Sequence, residues 1–247
     1  MRIVLRALPE PRHEVQLPCY AFRGMKTTTP VVLLLCLTAC NAPAPINTTP
    51  RSTPTRIPSV SAPPQATGPQ SFDYYLLNLS WSPEFCYSHR NAPECGRGAT
   101  FVLHGLWPQN ADGTYPQNCS NAPGPANPSQ YGDIYPDQGL LEHEWHTHGT
   151  CSGLSPDAFF TTARAAYKSF TVPPKLAQLN AQISLPPDQI LSLVTQSNPS
   201  IGANSLAMSC GNNYLTAVEV CLDKQLHPIA CGPVRSCRAR TVRIPPP

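Results

Sequence analysis

Residues 101–109 read FVLHGLWPQ, an apolar run broken by one histidine and closed by Trp107 and Pro108. Aliphatic and aromatic residues this dense over so few positions suit a short strand, and Pro108, with no N–H to give a ladder, is expected to stop it. Such a strand delivers His104 and Trp107 to its end. Just upstream, FDYYLLNLSW (72–81) is a second continuous apolar run that reads as a buried strand, and SPEFCYSHRNAPEC (82–95) reads as a loop. Downstream, residues 110–139 are rich in Asn, Pro, Gly and Asp. That stretch is too long for a tight turn, and long loops in compact domains are usually functional.

Further on, LLEHEWHTH (140–148) reads as a helix ended by Gly149. Ser155 before Pro156 is a helix start, with DAFFTTARAAYKSF continuing at helical spacing, and QILSLVTQ (189–196) is a shorter helix. YLTAVEVCLD (214–223) and SCRARTVRI (236–244) alternate as antiparallel strands do. Strands and helices come in blocks and not in regular alternation, so the expected class is α+β, a central antiparallel β-sheet flanked by helices.

The chain divides by composition. Of 31 prolines, eight fall between Asn41 and Gln70, where little apolar material exists to build a core; residues 41–70 read as a flexible linker. Residues 71–247 are then one ordinary globular domain. Before the linker, Met25 to Cys40 reads MKTTTPVVLLLCLTAC, a positive residue, a short apolar run and a Leu-Thr-Ala-Cys end. This resembles a bacterial lipoprotein signal with Cys40 lipidated, which makes Met25 the expected start and residues 1–40 a leader; a cleaved signal peptide giving a soluble protein is the other reading. Either way export is expected, to the periplasm, a membrane anchor or the outside. Eight cysteines remain in the domain, an even number without a CxxC pair, and an oxidising compartment would join them. From Ser71 on, ten Lys and Arg stand against twelve Asp and Glu. A domain that coats nucleic acid by charge alone is therefore excluded, and an RNA partner would need stacking and a local pocket.

The crowded HEWHTH (143–148) raises two chemistries. Zinc proteases need H-E-x-x-H, but the fifth position here is Thr147, and His148 falls about 140° round the helix from His143. One helix would not aim His143, His146 and His148 at one ion, so no metal and no other cofactor is expected. Proton transfer fits better: Glu144 and His148 are four apart on one face, where the carboxylate orients or charge-stabilises the imidazole, and His104 approaches from the strand. One neutral and one protonated histidine are what a base and an acid on opposite sides of a phosphodiester require. The competing reading makes both ordinary structural histidines.

FVLHGLWPQ and EHEWHTHGTC, in this order, resemble the two active-site segments of the ribonuclease T2 family, and FDYYLLNLSWSPEFC and the cysteine-bearing C-terminal strands resemble its framework over residues 72–244. The resemblance implies the family's α+β fold and an endoribonuclease of low base specificity that cleaves single-stranded RNA in two steps. His148 would take the proton of the ribose 2′-OH and His104 would protonate the leaving 5′-oxygen, giving a 2′,3′-cyclic phosphate. Water then opens the ring to a 3′-phosphate, with the roles reversed. His143 would hold the phosphate, and Glu144 would assist at the pentacovalent intermediate. DNA, lacking the 2′-OH, would not be cut.

By the same resemblance, Trp107 and Tyr115 would sandwich a base, whereas Gln109 stands where some members carry an acidic residue. The implied disulfides are Cys86–Cys95, Cys119–Cys151, Cys210–Cys237 and Cys221–Cys231, and the expected state is a monomer touching membrane only through the lipid anchor. One position departs from the family: many members carry lysine where this chain has Thr147. That departure keeps a second reading in view, a ribonuclease-like module that binds RNA or a protein with weak or no turnover.

Overall fold

The structure, a computed structural model, describes residues 71–96 and 98–247. The expected signal with Cys40 and the 41–70 linker lie outside these residues. Six strands and five α-helices follow in the order β1 (Tyr74–Trp81), α1 (Ser82–Ser88), β2 (Phe101–Gln109), α2 (Gln138–Thr147), α3 (Pro156–Lys168), α4 (Pro174–Ala177), β3 (Ile183–Leu185), α5 (Pro187–Ser197), β4 (Leu206–Gly211), β5 (Tyr214–Leu222) and β6 (Val242–Ile244). The sheet runs β2-β1-β5-β6-β3, with β4 on β5. This is the α+β arrangement expected, antiparallel except for one parallel pairing of β6 with β5 at Tyr214 and Arg243.

Alternation in β1 assigns its two faces. Leu77, Leu79 and Trp81 enter the main core with Phe101, Leu103 and Leu106 of β2, Phe159, Phe160, Ala163 and Ala166 of α3, and Ile190 and Val194 of α5. Tyr74 and Leu76 belong to a smaller cluster with Cys221 and Cys231, against which Trp107 packs. The apolar faces of α3 and α5 thus cover one side of the sheet. The opposite side carries the smaller cluster and, beside it, the polar residues of β1 and β2.

Three readings from sequence need correction. Residues 82–88 form a helix and not a loop: Pro83 stands in its first turn, where a missing N–H costs nothing, and the Cys86–Cys95 bridge closes the segment that follows. Strand β2 does not stop at Pro108, which pairs with Tyr75 while Gln109 pairs with Tyr74. As β2 is the edge of the sheet, proline leaves no interior ladder bond missing. Of SCRARTVRI only Val242–Ile244 is a strand; Ser236 and Cys237 instead bond irregularly to the backbone of Met208 in β4.

Helix starts follow their capping residues. Asp137 accepts from the backbone of Gly139 and Leu140 at the start of α2, and Ser155 accepts from Ala158 with Pro156 next to it at the start of α3. Cys119–Cys151 ties the long loop to the turn after α2, and Cys210–Cys237 and Cys221–Cys231 fasten the C-terminal segment to β4 and β5.

Glu219 of β5 is buried; the Ser209 hydroxyl donates to Oε1 at 2.6 Å, while Oε2 has no partner. Burial pushes its carboxyl up to about 7, from an ordinary value of 4.5. The folded chain therefore holds this proton more tightly than the unfolded chain. The resulting stability is fully present below 4.5 and is lost as pH rises through about 7. Glu219→Gln should remove a loss of about 3 kcal/mol: its melting temperature should exceed that of the parent at pH 8 and approach it at pH 4.5, and equal gains at both pH values would contradict the assignment.

Candidate active site

A bulge in β2 makes the site. Opposite β1, Leu79 pairs with Leu103 and Asn78 with Gly105, so His104 is the extra residue. In an unbroken strand residues three apart point to opposite faces; the inserted residue puts His104 and Trp107 on the same one. Their rings meet edge to face at 5.4 Å. On that face Ser80 Oγ lies 3.1 Å from His104 Nδ1.

Helix α2 supplies the opposing wall. It buries Leu141, Glu144 and Trp145, and Trp145 donates its indole N–H to the Ala122 carbonyl, anchoring helix to loop. Glu144 is thereby carried beneath the strand, where Trp107 Nε1–H donates to its Oε2 at 2.8 Å. Oε1 has no hydrogen bond, and His104 Nε2 stands 3.7 Å from it. Gly105 is needed here because a Cβ would collide with the Glu144 carboxylate and the Trp107 indole.

His148 is the C-cap of α2, and its φ of −117° departs from the helix. That departure overturns the sequence geometry for one pair: His143 and His148, expected about 140° apart on an ideal helix, converge with ring centroids 6.4 Å apart. A second expectation is also corrected. Glu144 was to orient His148, yet its carboxylate is bonded to Trp107, and His148 Nδ1 is buried without a partner. Trp107 meets His148 instead, stacked at 5.2 Å and 28°. The indole thus touches both histidines, perpendicular to one ring and stacked on the other. Donor atoms of His143, Glu144 and His148 all lie within 4.8 Å of one another, so the spacing argument against a metal holds for His146 but not for this trio.

Both histidines are shifted down. Burial and the neighbouring His143 and His104 lower His148 to about 4, and burial with His143 lowers His104. Burial pushes the Glu144 carboxyl up to about 8, so at acidic pH it is a neutral hydrogen-bond donor with its free oxygen beside the histidines. Buried groups without partners are rare in folded proteins, and here Glu144 Oε1 and His148 Nδ1 are two of them around one cleft.

The cleft, about 450 Å³, is lined by Leu76, Trp107, Gln109, Tyr115, Gln117, His143, Thr147 and His148. Tyr115 is 53 % exposed, so it is not committed to a core, and Trp107 is half-buried with one side on the smaller apolar cluster. Thr147 reaches His143, with 3.4 Å between Oγ1 and Nδ1. His146 is outside this group and faces Glu142 at 3.9 Å. The eight domain cysteines form the four bridges named above. Sequence reading missed Ser80 and Gly105. The alternation in LLNLSW, with Asn78 and Ser80 off the core face, was the available signal for Ser80; Gly105 becomes legible only once helix and strand are docked.

With known proteins, the model of the Ribonuclease T2 family matches residues 72–231. A ribonuclease of Aeromonas hydrophila is 47 % identical over 94 residues, covering 37 % of this chain and 43 % of the relative. A probable ribonuclease of Haemophilus influenzae is 32 % identical over 183 residues, covering 64 % and 61 %. The chain thus spans less than two thirds of the length of these two relatives. Among solved structures, ribonuclease MC1 from bitter gourd seeds superposes with a TM-score of 0.56 at 25 % identity, over 69 % of this chain and 99 % of that one. An RNase-related protein from Calystegia sepium gives 0.57 at 22 %, over 71 % and 98 %.

If Gly105 is the clearance under which indole and carboxylate meet, Gly105→Ala should cost about 1–3 kcal/mol, the usual range for overpacking. It should also shift the Trp107 indole N–H resonance while leaving those of Trp81 and Trp145, which donate to backbone carbonyls, in place. An unchanged spectrum would refute the close approach.

Proposed function

We propose that this chain, which belongs to the ribonuclease T2 family, is an endoribonuclease that cleaves single-stranded RNA by transphosphorylation between His104 and His148. The observation that carries the reading is that both imidazoles pack against one indole, that of Trp107, at the cleft. A base stacked in the cleft would bring its ribose and phosphate between an acid and a base.

In the first step His148, neutral because its pKa is about 4, accepts the 2′-OH proton as the oxygen attacks phosphorus. His104, protonated, gives its Nε2 proton to the 5′-oxygen as the P–O5′ bond breaks, leaving a 2′,3′-cyclic phosphate. In the second step His104 takes a proton from water, whose oxygen attacks phosphorus, and His148 returns its proton to the 2′-oxygen as the P–O2′ bond breaks, giving a 3′-phosphate. In both roles His104 reacts through Nε2, so Nδ1 keeps its hydrogen and donates to Ser80 Oγ. A neutral acceptor fixes the tautomer without raising the basicity of the ring as a carboxylate would. The neutral Glu144 carboxyl and His143 face the phosphoryl oxygens, and positioned donors of this kind supply charge stabilisation without a metal. Trp107 and Tyr115 hold a base by stacking, which accepts any base and suits low specificity. Four bridges in one domain support export to an oxidising compartment, with anchoring through Cys40 part of the same proposal.

The titration order sets the pH profile. A base neutral above about 4 and an acid protonated only below the ordinary 6.5 give a bell in kcat/KM with its maximum on the acid side between them. His104→Ala or His148→Ala should lower cleavage of an oligoribonucleotide by at least about 10²-fold, and full activity in either would overturn the assignment. Loss of activity in EDTA restored by zinc would instead favour a metal on His143, Glu144 and His148. At position 147 the family lysine would add a charged donor worth about 3 kcal/mol, some hundredfold. Thr147→Lys should therefore raise kcat with KM little changed; no gain would count against this account.

A further inference from the structure

The domain's slight negative balance hides a division. From Ser71 on there are ten Lys and Arg, and five of them, Lys224, Arg235, Arg238, Arg240 and Arg243, fall in residues 224–247, which contain no Asp or Glu. The rest of the domain carries five cations against twelve acids. Among the described residues, lysine and arginine ion pairs are made by Arg164 and Lys168 with Asp133. Arg235, Arg238 and Arg240 are exposed and make no ion pair. Unpaired like charges in one strip repel, and a polyanion relieves that repulsion.

The strip is clamped. Cys221–Cys231 and Cys210–Cys237 bracket it, the backbone N–H of Cys231 donates to Asn204 and that of Cys237 to Met208, and Met208 donates to Ser236 Oγ. Its Pro233–Val234 stretch neighbours residues behind the cleft. Val234 packs on the cluster that supports Trp107, and Pro233 lies so near Gly113, two residues before Tyr115, that a Cβ there would stand 3.2 Å from its Cγ. Arg235 therefore follows directly on the segment that backs Trp107, while Cys237 and Ala239 pack against the main core, so the strip passes from the cleft side round the β4 edge of the sheet.

We propose that Arg235, Arg238 and Arg240 form a phosphate-binding track for the RNA strand on the 5′ side of the cleaved bond, resting on the endoribonuclease reading above. Polarity follows from the cleft. His148, which takes the 2′-OH proton, stacks on Trp107, so the base on Trp107 belongs to the nucleotide whose 2′-OH attacks. Strand leaving past Trp107 and Tyr115 is then the 5′ portion. Arginine forks bind phosphate oxygens without reading sequence, so the track adds affinity for long strands and no base preference.

The test uses single strands of deoxynucleotides with one ribonucleotide, cut at one place, extended by about six nucleotides on the 5′ or the 3′ side. For the parent in about 50 mM salt, 5′ extension should lower KM about tenfold with kcat unchanged; in R235Q/R238Q/R240Q that gain should vanish while 3′ extension acts alike in both. Three phosphate contacts at about 0.7 each in the slope of log affinity on log salt make the parent lose about eighteenfold more than the variant between about 50 and about 200 mM salt. The triple lysine variant, which keeps charge, should retain most of the gain. An equal 5′ gain in parent and glutamine variant overturns the track. So does unchanged RNA kinetics with loss of binding to phosphatidylglycerol vesicles, which would make the strip a membrane patch. A ribodinucleotide left uncut by the parent would fail the endoribonuclease reading and not the track, because anisotropy with uncleavable all-deoxy strands reads the track alone: lower affinity in the glutamine variant supports it, and equal affinity overturns it.

Discussion

The site depends on one contact between strand and helix, the hydrogen bond from the Trp107 indole to the buried Glu144 carboxyl. It forms across Gly105, the one side chain small enough to let α2 approach β2 there. The bulge that leaves His104 without a partner in β1 is part of the same arrangement, since it turns Trp107 and His104 to a common face. Everything chemical in the cleft is then placed by a short list of backbone facts. His148 follows from where α2 ends, and where α2 begins follows from Asp137.

Burial gives the three titratable groups their character, and it acts on them in opposite senses. It disfavours charge on each, lowering the imidazoles and raising the carboxyl. The result is a set in which the neutral form of each group is favoured: two imidazoles that hold a proton less readily than usual and a carboxyl that keeps its own. No charged partner is needed for this. A charged Glu144 beside His104 would raise the imidazole, so the solvent-free position of the carboxyl and the acid profile expected under the proposal go together.

Much of this was legible in the sequence, for identifiable reasons. Strand β2 and helix α3 were readable because apolar runs and a serine-proline start are local signals. The pair His104 and His148 was readable because each lies in a segment resembling a family's. What local signals do not carry is the third dimension at irregular points. The convergence of His143 with His148 depends on the helix ending one residue early, and the partner of Glu144 depends on docking across Gly105. Helix α1 was misread because Pro83 and two serines look like a loop, and a seven-residue helix has too little periodicity to argue back. The strand-like alternation of SCRARTVRI was likewise real but unused: Ser236 and Cys237 caught the edge of β4 through side-chain and irregular backbone bonds, leaving three residues to pair.

Thr147 and the arginine strip belong to one electrostatic argument. On the proposed reading Thr147 sets a neutral hydroxyl near the reacting phosphate, and the cleft walls are otherwise uncharged residues and histidines. Positive charge concentrates instead in the clamped C-terminal segment. Charge at the reacting atoms lowers the barrier itself, because it is felt most where negative charge develops. Charge on flanking phosphates is felt equally in ground and transition states and so changes affinity, not turnover. If RNA is the substrate, as proposed, a chain with the first kind reduced and the second kind available would be suited to long strands at low concentration more than to rapid turnover of short ones.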